Sequence, residues 1–343
     1  MASATRVSST RRQAAASGTT LVELLIAVLI MVIIGGIVVS LFANYINMFL
    51  ANNDVVVATQ RADSVFRLLE EPILHAGLGL NSTNAEKYRE NWSDVNYSGP
   101  VATLPFPAWW KGNVVPEYPG KTEEMDAVIL SGDRGNGYYA SIGIVYAVPT
   151  GMKIEGVGTP VTAGADHAII LLDHNLPNTM PFETEETDMR SWLTVPGTNK
   201  AVPMLVKAYS QTNRTIDVAV PSNRTPELPM HQELYRMKAI MAYVQNNRFE
   251  MMDITAGSAH HGANATHVTT IDGVRGVRFK LSEDRKYIEV RLLVMGDSRD
   301  AKHAQTLWTH LRGRWSELTE ADAGTYFEEF VIKWRVRDLG ERS

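Results

Sequence analysis

The pattern of apolar and polar residues predicts one long helix in the first quarter of this chain. In residues 24–42, Ser40 is the only clearly polar residue. A helix needs ~20 such residues to cross a bilayer. Residues 44–69 contain no glycine or proline, and their apolar residues recur at spacings of three and four. That spacing is typical of a helix with one apolar stripe. We therefore predict a single helix from about residue 19 to residue 75, bent near Pro72.

The second half of this helix is expected to pack on the rest of the protein. Its predicted stripe consists of Tyr45, Met48, Phe49, Asn52, Val55, Val56, Thr59, Ala62, Phe66, Leu69 and Ile73. The helix is expected to end at Ala76-Gly77-Leu78-Gly79, because glycine readily adopts the left-handed conformation that closes a helix.

Beyond an irregular, proline-rich stretch at residues 81–121, the pattern changes to that of β-strands. Short apolar runs predict strands at 126–130, 139–148, 168–172, 204–208, 215–220, 237–244 and 248–254, and clean alternation predicts three more at 277–281, 288–294 and 330–336. Asn246-Asn247 is a plausible hairpin turn. Residues 183–189 and 297–322 resemble polar insertions of unclear structure. The predicted fold class is α+β, with a long N-terminal helix, half of it transmembrane, packed on a large antiparallel sheet.

Composition excludes several kinds of chemistry. The chain has 343 residues, a net charge of −5 and no cysteine. Disulfides, thiolate metal sites and a cysteine nucleophile are therefore excluded, and no strong basic field indicates nucleic acid as a partner. Arg6, Arg11 and Arg12 precede the apolar run without any acidic residue. By the positive-inside rule, the N-terminus is cytoplasmic and the region beyond residue 43 lies outside the inner membrane.

A single carboxylate stands near the start of the apolar run, in Gly18-Thr19-Thr20-Leu21-Val22-Glu23. A charge in a membrane helix is costly and needs a partner. If the chain were cut after Gly18, the new amine of Thr19 would lie four residues before Glu23, on the same helix face. The pair could close within one chain or between neighbouring subunits. A signal peptide or a plain anchor explains the apolar run but not this spacing.

This segment resembles the Gly-Phe-Thr-Leu-Ile-Glu-Leu signature of type IV prepilins and type II secretion pseudopilins. The resemblance implies that prepilin peptidase cleaves between Gly18 and Thr19, with N-methylation of Thr19, and that Glu23 assists assembly into a filament. Thr19 stands where that family usually has phenylalanine. The implied partners are prepilin peptidase, other major and minor pilins, and the inner membrane during assembly.

A second resemblance narrows the family. Residues 60–69 followed by Ala76-Gly77 are similar to the helix end of PilW-type minor pilins, and the order of the last three strand motifs is also similar. The implied organisation is a cleaved leader (1–18), a transmembrane or filament-core helix (19–43), its amphipathic continuation (44–76) and a periplasmic or extracellular β-rich head (77–343).

Other candidate sites have simpler structural explanations. His260, His261 and His267 form the only histidine cluster, in what resembles a polar turn. The pairs Asp166-His167 and Asp173-His174 bracket a strand without a matching nucleophile, and the glycine-rich stretch 131–137 lacks an EF-hand spacing for Ca²⁺. Trp109-Trp110 suggests either an exposed contact patch or a buried pair. Arg312, Arg314, Lys333, Arg335 and Arg337 suggest a basic patch, which Glu329 interrupts.

The sequence therefore predicts a structural protein without catalytic residues, metal or cofactor: a minor pilin that helps to initiate, cap or decorate a type IV pilus. Two alternatives stay open, a J-type pseudopilin of type II secretion and a membrane-tethered periplasmic enzyme or binding module. The sequence does not distinguish adhesion, motility, DNA uptake and secretion.

Overall fold

The computed structural model describes residues 20–78, 128–158, 161–162, 164–171, 192–196, 204–220, 225–253, 268–299 and 302–336. The chain divides into two compact units, Met1–Asn52 and Asn53–Ser343. The first unit contributes only helix to the described structure.

The predicted long helix is present as α1, Leu21–His75. Pro72 lies in its last turn, and Gly77 follows with a φ of 78°. The predicted glycine stop is thus confirmed, because this left-handed φ lets the N–H of Leu78 reach back to the carbonyl of His75 at 2.8 Å. The N–H of Gly77 then bonds the carbonyl of Val145 at 3.0 Å, which ties the helix end to the sheet.

All described strand pairs are antiparallel, as the alternation predicted. The strands are β1 (Val128–Asp133), β2 (Tyr139–Val157), β3 (Asp166–Leu171), β4 (Trp192–Thr194), β5 (Met204–Ser210), β6 (Thr215–Ala219), β7 (Glu233–Gln245), β8 (Arg248–Asp253), β9 (Val268–Asp272), β10 (Val274–Leu281), β11 (Tyr287–Arg299) and β12 (Thr325–Arg335). Sequence patterning missed β4 and β9. Both are short, three and five residues, and neither carries a clear alternation.

One predicted turn and one predicted strand end had different outcomes. Asn246 and Asn247 have φ values of 53° and 60°, so the predicted hairpin turn is confirmed, with both central residues in the region that a type I′ turn requires. The second strand was predicted at 139–148. The strand instead continues to Val157, with a register shift between Pro149 and Lys153. Proline and glycine mark a bulge at this point.

Six strands close into a barrel. β2 pairs with β3, β3 with β6, β6 with β5, β5 with β4, β4 with β7, and β7 with β2 again. Its interior is filled by buried apolar side chains: Met152, Ile154, Ile169, Leu171, Leu193, Val195, Met204, Val206, Ile216, Val218, Val220 and Leu234. Closure of the ring removes the exposed edges that an open sheet of these strands would have.

The largest core lies between α1 and the remaining sheet. The helix contributes Ala58, Ala62, Val65, Leu69 and Ile73, all fully buried. The strand contribution includes the predicted inward rows, with Ile288, Val290, Leu292 and Val294 fully buried as well. The prediction that one face of the C-terminal strands packs on the helix is therefore confirmed.

The predicted helix stripe was wrong in its first half. Val55 is 41% exposed and Val56 is 52% exposed, whereas Asp54 and Ala58 are fully buried. The buried stripe of α1 begins only at Asp54 and follows a neighbouring face. Apolar residues occur on more than one side of this helix, so spacing alone could not identify the side that faces the sheet.

A third, small core covers part of β11 and β12. It consists of Leu293, Trp308, Leu311, Trp315, Leu318 and Phe327, and helix α2 (Lys302–Arg312) supplies two of them. The prediction of a polar insertion at 297–322 was therefore wrong for residues 302–322, which contain α2 and four of the six residues of this core. The segment 183–189 lies outside the described residues.

Candidate functional site

The described residues begin at Thr20, the second residue after the predicted cleavage point. Gly18 and Thr19 lie outside the described residues. The backbone N–H of Thr20 donates to Oε2 of Glu23 at 2.9 Å, and the N–H of Glu23 is 3.3 Å from the hydroxyl of Thr20. This reciprocal pair is a capping box, which satisfies amide groups that a helix start would otherwise leave without partners.

The capping box gives Glu23 a second role that the sequence reasoning missed. The signal was present, because Thr20-Leu21-Val22-Glu23 has the Thr-x-x-Glu spacing of such a box. The carboxylate also lies at the positive end of the helix dipole, where a negative charge is stabilised. The capping bond uses Oε2 alone. A carboxylate accepts about four hydrogen bonds in total. Glu23 therefore has the capacity to bind a cation while it caps its own helix.

The apolar run that follows is exposed along its whole length. Every described residue from Thr20 to Leu50 is exposed. α1 is long and apolar enough to cross a membrane, and its most apolar window of 18 residues has a mean hydropathy of 3.1 and no buried residue. Exposed large apolar side chains continue past this window to Phe49, Leu50, Val55 and Val56.

The histidine near the start of β3, His167, is held by backbone groups. His167 is buried, and its Nε2 lies 3.0 Å from both the N and the O of Thr162. Asp166 forms an ion pair with Lys207 at 2.6 Å. Asp166 and His167 therefore each have a structural partner among the described residues.

In the glycine-rich stretch 131–137, residues 131–133 end β1 and the residues after them form a tight turn. Oδ1 of Asp133 accepts the N–H of Gly135 at 2.7 Å, and the N–H of Arg134 donates to the carbonyl of Tyr138 at 2.7 Å. Within the described residues, no three His, Asp or Glu side chains are grouped so that they could hold a metal ion. Trp109, Trp110, Asp173, His174, His260, His261 and His267 lie outside the described residues.

The basic residues noted near the C-terminus do not form one free patch. Arg314 pairs with Glu329 at 3.0 Å, and Arg312 pairs with Glu320. The ammonium of Lys333 lies 4.8 Å from the ring centre of Tyr287. Glu329 also lies 3.6 Å from Arg291. Arg337 lies outside the described residues.

On the same sheet face, Tyr138, Glu289 and Arg291 form a coupled group. The Tyr138 hydroxyl donates to Glu289 at 2.7 Å, and Arg291 donates to the same carboxylate at 2.8 Å. Burial tends to raise the pKa of Glu289, but the hydrogen bonds from Tyr138 and Arg291 outweigh it and leave that pKa below its usual value. Burial and the bond to Glu289 raise the pKa of Tyr138. These pKa shifts are those of a network of ion pairs and hydrogen bonds whose members are all bonded to one another, rather than of a reactive centre.

Comparison with known proteins gives no further guide to this arrangement. No protein-family model, curated protein or solved structure matches the chain. The start of α1, with Thr20, Glu23 and the exposed apolar run, is the site on which a functional argument rests.

Proposed function

We propose that this chain is a prepilin-type subunit, most similar to a PilW-type minor pilin, that is cut after Gly18 and joins a type IV pilus-like filament. The observation that carries the proposal is the capping box between Thr20 and Glu23, which starts an exposed apolar helix two residues after the proposed cut.

The length of the exposed apolar surface supports assembly over simple anchoring. Exposed large apolar side chains extend from Leu21 to Val56. At 1.5 Å per residue these 36 positions span ~54 Å. A whole bilayer, with its headgroups, is only about 40–45 Å thick. The part of the apolar helix surface that extends beyond the bilayer must be buried by something other than lipid, and the helices of neighbouring subunits would bury it.

The proposed cycle follows from this surface. The helix inserts with its N-terminus in the cytoplasm, and a prepilin peptidase removes residues 1–18. The mature subunit then leaves the membrane, and its apolar residues exchange lipid for neighbouring helices. Glu23 keeps its cap on Thr20 and accepts the Thr19 amine of a neighbouring subunit, which sets the axial register of the filament.

The cleavage is tested by the intact mass and N-terminal sequence of protein isolated from membranes. We expect a chain that starts at Thr19, with or without one added methyl group. Gly18→Leu should remain uncut, because the resemblance implies a peptidase that cuts after glycine. Gly36→Leu is the matched control: an added Cβ at Gly36 has no heavy atom within 4 Å. It should be processed normally. A wild-type chain that still starts at Met1 or Ala2 would contradict the proposal.

The role of Glu23 is tested by two substitutions that separate its cap from its charge. Glu23→Gln keeps an acceptor for the N–H of Thr20, since glutamine also serves in a capping box. Glu23→Ala removes both functions. If Glu23 binds a neighbouring amine, both variants should be inserted and cut but fail to enter filaments. If only Glu23→Gln enters filaments normally, the role of Glu23 is limited to capping. If both variants enter filaments normally, Glu23 does not set the axial register.

The same experiments separate the alternatives. A J-type pseudopilin would be processed identically but would co-purify with a type II secretion system. A tethered periplasmic enzyme or binding module would keep its N-terminal residues and would work after the helix is exchanged for an unrelated anchor.

A further inference from the structure

A fully buried carboxylate lies in the middle of α1. Asp54 is the first buried residue of the helix and has no exposed surface. Its Oδ1 accepts the backbone N–H of Asp297 on β11 at 3.0 Å. Aspartate is a poor helix former, and burial of a carboxylate is costly without hydrogen bonds. A core position of this kind ordinarily takes an alanine or leucine, so the carboxylate needs a specific explanation.

Arg61 adds two more bonds from the same helix to the same strand. It lies seven residues after Asp54, which places both side chains on one helix face. Its Nη1 donates to the carbonyl of Met295 at 2.7 Å, and its Nη2 pairs with Oδ1 of Asp297 at 2.8 Å. One guanidinium thus holds a backbone group and a side chain of β11 together.

The strand is irregular at the point where it receives these bonds. Met295 pairs with Phe327 of β12, and the next pair joins Arg299 to Thr325. Between these two pairs the chain advances four residues along β11 but only two along β12. Gly296 and Asp297 lie within this irregularity. A bulge leaves backbone groups outside the regular ladder. Two of the groups in this segment, the carbonyl of Met295 and the N–H of Asp297, are bonded by α1.

Two glycines make the close approach possible. A Cβ on Gly296 would lie 2.7 Å from Oδ1 of Asp54. A Cβ on Gly273, in the turn between β9 and β10, would lie 2.7 Å from Cζ of Arg61, and Gly273 has a φ of 79°. Any other residue at either position would displace the helix side chains, so four separate features of the sequence converge on this contact.

We propose that Asp54, Arg61 and the segment Met295–Asp297 form a polar clamp that fixes the axial register of α1 on the sheet. Most of the remaining helix contact is apolar, through side chains such as Ala58, Ala62 and Val65, and the bond from Gly77 to Val145 lies beyond the last turn of the helix. Apolar contacts are non-directional, and packed helices can shift by a whole turn. The clamp is satisfied in one register only, because a shift would leave Asp54 buried without its partner. This inference does not depend on the proposed function.

The register is measured directly by the distance between two spin labels on the full chain in detergent micelles. The chain contains no cysteine, so Glu70→Cys on α1 and Val331→Cys on β12 give two unique labelling sites, both exposed. With the clamp intact we expect one narrow distance distribution. The double variant Asp54→Ala, Arg61→Met should stay folded, because it removes the buried carboxylate and because the side chain of Asp297, which loses its partner Arg61, is 54% exposed to solvent. We expect it to show a second population displaced by about one helical turn, ~5 Å.

The matched control is an ion pair of similar length that does not touch α1. Arg248 and Asp272 lie 2.6 Å apart between β8 and β9, and both are more than half exposed. Arg248→Met, Asp272→Ala should leave the distance distribution unchanged. An unchanged single distribution in the clamp variant as well would overturn the proposal, even if that variant melts at a lower temperature.

A thermal-unfolding cycle keeps the test decisive if the double variant is poorly folded. Arg61→Met alone should lower the melting temperature by about 3–6 °C, given the typical worth of charge-assisted bonds. Gly273→Ala should cost several degrees with Arg61 present and clearly less after Arg61→Ala, because only the left-handed φ then opposes it. Equal costs of Gly273→Ala in both backgrounds would show that Arg61 and Gly273 are not coupled and would overturn the clamp.

Discussion

Individual carboxylates in the second unit tie its stability to pH. Asp322 accepts bonds from the N–H and the hydroxyl of Thr319, and it pairs with Arg275 at 3.0 Å. Burial works to raise the pKa of Asp322, but the bonds from Thr319 and the charge of Arg275 lower it overall. Glu289 has a lowered pKa for the related reasons given above.

We expect acid to destabilise the protein through these two groups. A carboxyl whose pKa is lower in the folded state contributes stability that is fully present above its unfolded pKa, about 3.9 for Asp and 4.3 for Glu. The contribution disappears as the pH falls through the folded pKa. The urea midpoint should therefore fall steadily from pH 5 to pH 2. Glu289→Gln, which cannot titrate, should give a smaller fall over the same range, and an identical fall would contradict the assignment.

Among single residues, the sequence identified Glu23 but not its capping bonds with Thr20, and it did not identify the contacts of Asp54 and Arg61 with β11. A charge at the head of an apolar run is visible in any hydropathy plot. The significance of Asp54 and Arg61 is not, because both fall within an ordinary amphipathic pattern. Their partners lie more than 230 positions away, at a separation of 236 for Arg61 and Asp297. Local spacing carries no information about such contacts.

Helix α2 and the loop after it depend on one large side chain. Trp315 is fully buried, and a Cβ on Gly276 of β10 would lie 2.9 Å from its ring. The guanidinium of Arg278 stacks over the same ring at 4.4 Å. Trp308, Leu311, Trp315 and Leu318 recur at spacings of three and four, but polar residues surround them, and the sequence analysis predicted only a polar insertion here.

Trp315→Ala should therefore destabilise the protein strongly. Loss of a buried tryptophan typically costs about 3–5 kcal/mol, because the cavity it leaves closes only in part. Val331→Ala, on the exposed face of β12, should change the free energy of unfolding by less than about 0.5 kcal/mol. Urea unfolding followed by circular dichroism measures both. A cost for Trp315→Ala close to that for Val331→Ala would mean that the third core adds little to stability.

Strands were predicted well where alternation and turn residues agree, as in β7 and β8 around Asn246. They were predicted poorly where a long strand passes through a bulge, as in β2. The pairing order was not predictable. The closed ring depends on contacts between β2 and β7, which lie about ninety residues apart, and no local rule specifies them.

The two long strands β2 and β7 belong to both the barrel and the sheet that covers α1. Tyr146 and Met237 line the large core, whereas Met152 and Leu234 on the same two strands line the barrel. Neither core can be dissolved without disturbing strands of the other, so the second unit should unfold as one cooperative body.

Two buried-residue substitutions test this cooperativity. Leu69→Ala removes part of the helix core and Ile169→Ala part of the barrel core, and both residues are fully buried. Each should cost about 2–5 kcal/mol and lower the same single calorimetric transition. Two transitions, of which each variant shifts only one, would show that barrel and helix-bearing sheet are separate folding units.

The position of β12 has a consequence for how the molecule is made. Its residues Phe330 and Trp334 cover the helix, and the ring of Trp334 lies 5.7 Å from that of Phe66 in an edge-to-face contact. A ribosome releases Phe66 long before Trp334. Throughout that interval the part of α1 around Phe66 lacks the cover that β12 supplies, and such exposed apolar surface promotes aggregation. The nascent chain therefore has a long aggregation-prone phase that ends only when β12, the last of the described strands, emerges.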